Sequence, residues 1–162
     1  MAEMPSSAAA RASRRRREDA LIARAEAILL RRLKRSGRLE NPRHAERFLR
    51  LRLAGLPHEE LHAVWLDAQH RIIACEILAK GGADRAQLDP RVVVHSALQR
   101  SARAVILAHN HPSGEATPSD SDIKVTRDLI RAGQLLKIEV LDHVIIGNGQ
   151  RVSLRELGYF YS

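Results

Sequence analysis

The sequence predicts an α/β domain, a mixed β-sheet flanked by helices, preceded by a basic helical segment. Three observations carry that expectation. "RAVILAH" (Arg103 to His109) and "VLDHVII" (Val140 to Ile146) are apolar runs without polar alternation, the pattern of buried central strands. Ser119 to Leu136, between them, reads as a long helix, so strand and helix alternate. The basic excess, finally, is confined to the N-terminal third: residues 1–56 hold 15 Lys+Arg against 6 Asp+Glu, whereas residues 57–162 hold 12 against 13.

The elements follow in order. Residues 1–17 (Ser, Ala and Arg-rich) read as a disordered basic tail. "EDALIARAEAILLRRLKR" (Glu18 to Arg35) carries Leu21, Ala25, Ile28, Leu29 and Leu33 at helical spacing, with acids first and bases last, as the helix dipole favours. "SGRLENPR" breaks it, and His44 to Leu53 forms a second short helix stopped near Gly55 and Pro57. The texture then changes. "ELHAVWLDAQHRIIACEILAKGG" reads as two strands joined by a tight turn at Asp67 to His70, and "AQL" (Ala86 to Leu88) as a third short strand. Asp89 as cap with Pro90 behind it opens a helix toward Leu98 to Arg100. After the Arg103–His109 strand, the 119–136 helix and the 137–147 strand, "GNGQ" turns into a last strand at Arg151 to Ser153. The domains expected are therefore 1–17, 18–56 and 57–162.

Composition narrows the function classes. The chain has 162 residues, 44% of them hydrophobic, enough for an aliphatic core. No apolar run approaches the length of a membrane span, and the Arg-rich start lacks the apolar stretch of a secretory signal. One cysteine, Cys75, excludes an internal disulfide and a thiolate zinc cluster, and reads as an inert core thiol. The expected setting is cytoplasmic, with no membrane partner. "SRRRRED" and "RRLKRSGR" suit a polyanion such as nucleic acid, although a solvated tail explains them as well, and no aromatic residue is interleaved for base stacking.

The chemistry concentrates in "LAHNHPSGEATPSDSD" (Leu107 to Asp122). His109 and His111 lie where a central strand runs out, and residues two apart on an extended chain project to one side. Asp122 falls in the first turn of the next helix, facing back toward the strand end. Two imidazoles and one carboxylate make a three-ligand set that leaves a fourth tetrahedral position for water, the arrangement of a catalytic zinc site. Ser119 followed by Asp122 is also a plain capping pattern, compatible with that role.

His109, His111, Ser119 and Asp122 match the motif of the JAB/MPN (JAMM) zinc metallopeptidases. "HNHPSG", "PS..D" and "DH.I.G" resemble more closely the bacterial RadC branch, over about residues 57–160. The resemblance implies a JAB/MPN-type (cytidine deaminase-like) fold, zinc (Zn2+) on His109, His111 and Asp122, and hydrolysis of a peptide or isopeptide substrate. It also implies a glutamate at an early strand start as general base: Glu59 in "EELHAVWLD", with Glu60 the alternative. It assigns Ser119 to the developing oxyanion. RadC proteins are traditionally named for DNA repair. Three departures stand out: Gly81-Gly82 replaces the usual Gly-Thr, Pro90-Arg91-Val92 the usual Pro-Arg-Glu, and residues 1–56 do not match the helix-hairpin-helix region of longer members. The chain thus resembles a short-form RadC protein.

Asp142 and His143 could orient a metal ligand or form a satisfied polar pair in their strand. His44, His58, His62, His70 and His95 read as surface or interface residues. The competing expectation is a non-catalytic module of the same fold that binds nucleic acid or protein through its basic N-terminal helices.

Overall fold

The computed structural model describes residues 7–35, 37–39, 41–81 and 89–161. Helix α1 spans Ser7–Arg35 and α2 spans Pro42–Leu53. Strands β1 (Glu60–Leu66) and β2 (Ile72–Lys80) follow, then α3 (Pro90–Gln99), β3 (Ala104–Asn110), α4 (Asp120–Leu136), β4 (Glu139–Ile146) and β5 (Arg151–Ser153). The strands form one mixed sheet in the order β2-β1-β3-β4-β5, in which only the β3–β4 pair is parallel. That pair is joined through α4, as a parallel crossover requires.

Both faces of the sheet are covered, which is why β1, β3 and β4 lack polar alternation. Val64, Leu66, Ile106, Ala108, Val144 and Ile146 turn to one face, against Leu33 of α1 and Phe48, Leu49 and Leu53 of α2. Leu61, Ala63, Trp65, Val105, Leu107 and Val140 turn to the other, against Val93 and Ala97 of α3 and Leu129 of α4. The β1–β2 turn closes on Asp67, whose carboxylate accepts from the Gln69 and Arg71 amides at 2.9 Å.

Two expectations change. The helix begins at Ser7, so the tail expected over residues 1–17 is helical wherever it is described. Ala and Arg are strong helix formers, and the turns that pack through Leu29, Leu30 and Leu33 supply a nucleus from which the helix propagates outward. The boundary drawn at residue 57 also separates α2 from its own core, since Phe48, Leu49 and Leu53 are fully buried beneath the sheet. The strand expected at Ala86 to Leu88 lies outside the described residues. No described helix is long and apolar enough to cross a membrane.

Candidate metal centre

Strand β3 delivers His109 and His111 to the same side of its C-terminal end. His109 is buried and His111 half-buried. Helix α4 then begins beside them because Ser119 caps it: its hydroxyl accepts from the Asp122 amide at 3.1 Å, and the Asp122 carboxylate accepts from the Ser119 amide at 2.8 Å. This reciprocal cap folds the carboxylate back toward the strand end. The two Nε2 atoms lie 3.0 Å apart, and Asp122 oxygens lie 3.3 Å from that of His109 and 3.5 Å from that of His111. Donors about 2.0–2.1 Å from a tetrahedral zinc stand about 3.3 Å from one another. His109, His111 and Asp122 are the group among the described residues whose donor atoms converge closely enough to hold a metal ion.

The electrostatics agree with an ionised ligand set. Burial pulls the Asp122 carboxyl upward, but hydrogen bonds from His109, His111 and Ser119 outweigh it and hold the group well below the ordinary carboxylate range. His111 is raised, first by its bond to Asp122, with the Glu115 carbonyl and the nearby Glu59 charge adding to the effect. Its Nδ1 lies 2.8 Å from that carbonyl, an acceptor only, so His111 donates there and leaves Nε2 to face His109 and Asp122.

Asp142 and His143, adjacent in sequence, do different things. His143 is fully buried behind His109, Nε2 to Nδ1 at 2.8 Å, with Thr126 of α4 on its other nitrogen at 2.7 Å. Burial drives the His143 pKa down to about 3, which keeps the ring neutral. Asp142 instead accepts from the Ser153 hydroxyl at 2.7 Å and the His143 amide at 2.7 Å, tying β4 to β5 away from the ligands. Thr126 was not foreseen, since a lone threonine in a helix carries no signal of its own. Asn110, between the two histidines, was also missed. Its side chain accepts from the Glu60 amide at 2.8 Å and donates to the His58 carbonyl at 2.9 Å, fastening the start of β1 to the end of β3.

That fastening separates the two glutamates. Leu61 pairs with His109 across the β1–β3 ladder, so alternation puts Glu59 on the side of the histidines and Glu60 on the side of α2. Glu59 is half-buried and close enough to raise His111. Glu60 is buried, with carboxylate oxygens 2.8 Å from both His58 and His62 and 3.3 Å from Lys80. Burial opposes ionisation of Glu60, yet bonds from His62, His58 and Lys80 lower its pKa to about 2. His62, expected at the surface, is therefore a core residue held by an acid. Ser119, assigned to an oxyanion, spends its hydroxyl proton on Asp122 Oδ2 at 2.6 Å.

The model of the RadC-like JAB domain matches residues 39–159, beginning just before α2. The chain belongs to the RadC-like JAB domain family. It is 43% identical over 140 residues to a UPF0758 protein of Ectopseudomonas mendocina, covering 86% of this chain and 62% of that one. It is 45% identical over 131 residues to a UPF0758 protein of Stutzerimonas stutzeri, covering 81% and 58%. A UPF0758 protein of Symbiobacterium thermophilum is 45% identical over 135 residues, covering 83% and 56%. The chain thus spans about three-fifths of the length of these RadC-family relatives. The JAB match takes in α2, as the shared core does, and leaves all of α1 outside.

Proposed function

We propose that the chain is a zinc-dependent hydrolase acting on a peptide or isopeptide bond. The observation that carries this reading is the convergence of His109, His111 and Asp122 on one point, with Glu59 on the same side of the sheet. Three protein donors leave one tetrahedral position for water, and zinc held there would lower that water's pKa toward about 7. Glu59 takes the water's proton on its carboxylate and passes it to the leaving amine. Ser119 orients Asp122 at rest, and donates to the substrate oxygen only after its hydroxyl turns from Oδ2. The test is metal analysis of the purified protein with hydrolysis of a mixed peptide and isopeptide library. Zinc near one per chain, with cleavage lost in Glu59→Gln, is the expected result. Equal zinc in wild type and the His109→Ala, His111→Ala double variant would end the ligand assignment.

A second reading is supported by α1. From Ala8 to Arg24 every side chain but Ser13 is exposed, so this part of the helix stands clear of the core. Arg14 to Arg17 follow one another at about 100° steps and so point in all directions around the axis. A flat anionic surface would meet one or two of them, whereas a nucleic-acid groove has phosphates on both sides of an inserted helix. Nucleic acid is therefore the proposed partner of α1. Gel-shift titration against salt compares the wild-type chain with Arg14, Arg15, Arg16 and Arg17 all changed to Gln. The variant should bind more weakly with a shallower salt slope. Identical slopes would exclude α1 as the contact.

A further inference from the structure

The hydrogens behind His109 can be assigned one by one. Thr126 Oγ1 lies 2.6 Å from the backbone carbonyl oxygen of Asp122. A carbonyl has no proton to give, so the single hydroxyl hydrogen of Thr126 points there. The same Oγ1 is 2.7 Å from His143 Nδ1 and, its hydrogen already committed, can only accept. His143 thus carries a proton on Nδ1. The ring is 0% exposed with no carboxylate bonded to it, an environment that disfavours a second proton. Its Nε2 is therefore a lone pair, facing His109 Nδ1 at 2.8 Å. His109 must donate from Nδ1, which leaves Nε2 as the ring atom that faces Asp122 and His111.

We propose that Thr126 is a positioning residue: through His143 it fixes the tautomer of His109 and presents Nε2 toward His111 and Asp122. Its bearing on metal binding rests on the zinc reading above; the tautomers do not. For His111 a backbone carbonyl makes the same choice directly, whereas His109 is backed by another ring, which could donate or accept. Thr126 removes that ambiguity. With Nδ1 of both rings committed to other partners, the two Nε2 atoms face each other across 3.0 Å with the Asp122 carboxylate beside them, a donor set that suits a cation. Because the hydroxyl is bonded to the turn that carries Asp122, the same contact joins the helix-borne ligand to the strand-borne one.

The test begins with ¹⁵N NMR of the imidazoles in the metal-free, full-length chain. Both His109 and His143 should carry a proton at Nδ1, and His143 none at Nε2. Thr126→Val keeps the shape but removes the hydroxyl, and Thr126→Ser restores it. Val should shift His109 toward the Nε2-protonated form and weaken zinc binding by about 10–100-fold, with Ser close to wild type. A wild-type His109 without a proton on Nδ1 would overturn the proposal, as would a folded Val variant binding zinc within about twofold of wild type. Should the Val variant not fold, the wild-type spectrum still decides. Wild-type protein with the stated tautomers but no zinc uptake upholds the Thr126 assignment and sinks the metal reading instead.

Discussion

Leu61 stands directly opposite His109 in the antiparallel β1–β3 ladder. This one pairing settles the orientation of two adjacent acids. Counting back two residues puts Glu59 on the side of His109 and His111, and counting back one puts Glu60 among His58, His62 and Lys80. Substituting the two should therefore have opposite consequences. Glu59→Gln should lower the hydrolysis rate by about 10²–10⁴-fold while zinc content and melting temperature stay unchanged. Glu60→Gln should lower stability by about 1–3 kcal/mol and leave the rate per folded molecule near wild type. Loss of activity in folded Glu60→Gln, with Glu59→Gln active, would reverse the assignment.

Asn110 holds those two outcomes apart. Asn110→Ala strips the buried Glu60 amide of its acceptor and the His58 carbonyl of its donor. A loss of about 1–3 kcal/mol is expected in urea unfolding. Zinc content should persist, because neither bond touches a ligand, while the rate falls as Glu59 loses its fixed approach. Unchanged stability would mean that the amide bridge is absent in solution.

Glu60 should also leave a mark on the pH dependence of stability. Its pKa is lower folded, about 2, than in an unfolded chain, near 4.5. A depressed carboxyl stabilises the fold at pH values above its unfolded pKa, and that contribution is lost as pH falls toward the folded value. On the order of 3 kcal/mol should disappear over that window. Urea unfolding from pH 6 downward would show a shallower decline in Glu60→Gln than in wild type. Parallel declines would place the acid-sensitive stability elsewhere, with Asp122 the next carboxyl to test.

Ser119 carries a cap and a ligand restraint in one hydroxyl. Ser119→Ala should cost about 1 kcal/mol of stability through the lost cap. It should weaken zinc binding as well, since Asp122 Oδ2 loses a donor 2.6 Å away. Ser119→Thr keeps the hydroxyl and should retain both. Zinc affinity equal to wild type in Ser119→Ala would confine the residue to capping and to whatever it donates to substrate.

Much of the fold and its candidate ligands can be read from the chain because local rules act on short stretches. The apolar run ending at His109 marks a buried strand, two-residue spacing puts His111 on the same side, and the Ser119–Asp122 cap returns a carboxylate to the strand end. Each depends on neighbours within a few residues. The basic first helix misleads for the opposite reason: without an apolar face Arg11 to Arg17 look unstructured, yet they extend a helix nucleated by packing further along. Placing α2 outside the domain fails similarly, since an amphipathic helix does not say which sheet will bury Phe48 and Leu49.

The sequence by itself determines the alternation of strand and helix, the pair of histidines on one strand end and the capped carboxylate that meets them. Tertiary structure decides the rest. The register of β1 against β3 puts Glu59 on the side of His109 and His111 and Glu60 in the core, a difference of one residue that reverses which face a side chain meets. The packing of α4 on β4 brings Thr126 to His143, and the β3–β4 pair brings His143 to His109. These contacts join residues 17 and 34 positions apart, so neither is visible in any local pattern. The physical reason is the range of the forces: capping and periodicity act along the chain, whereas sheet register and the proton order of a buried ring depend on groups that only folding brings together.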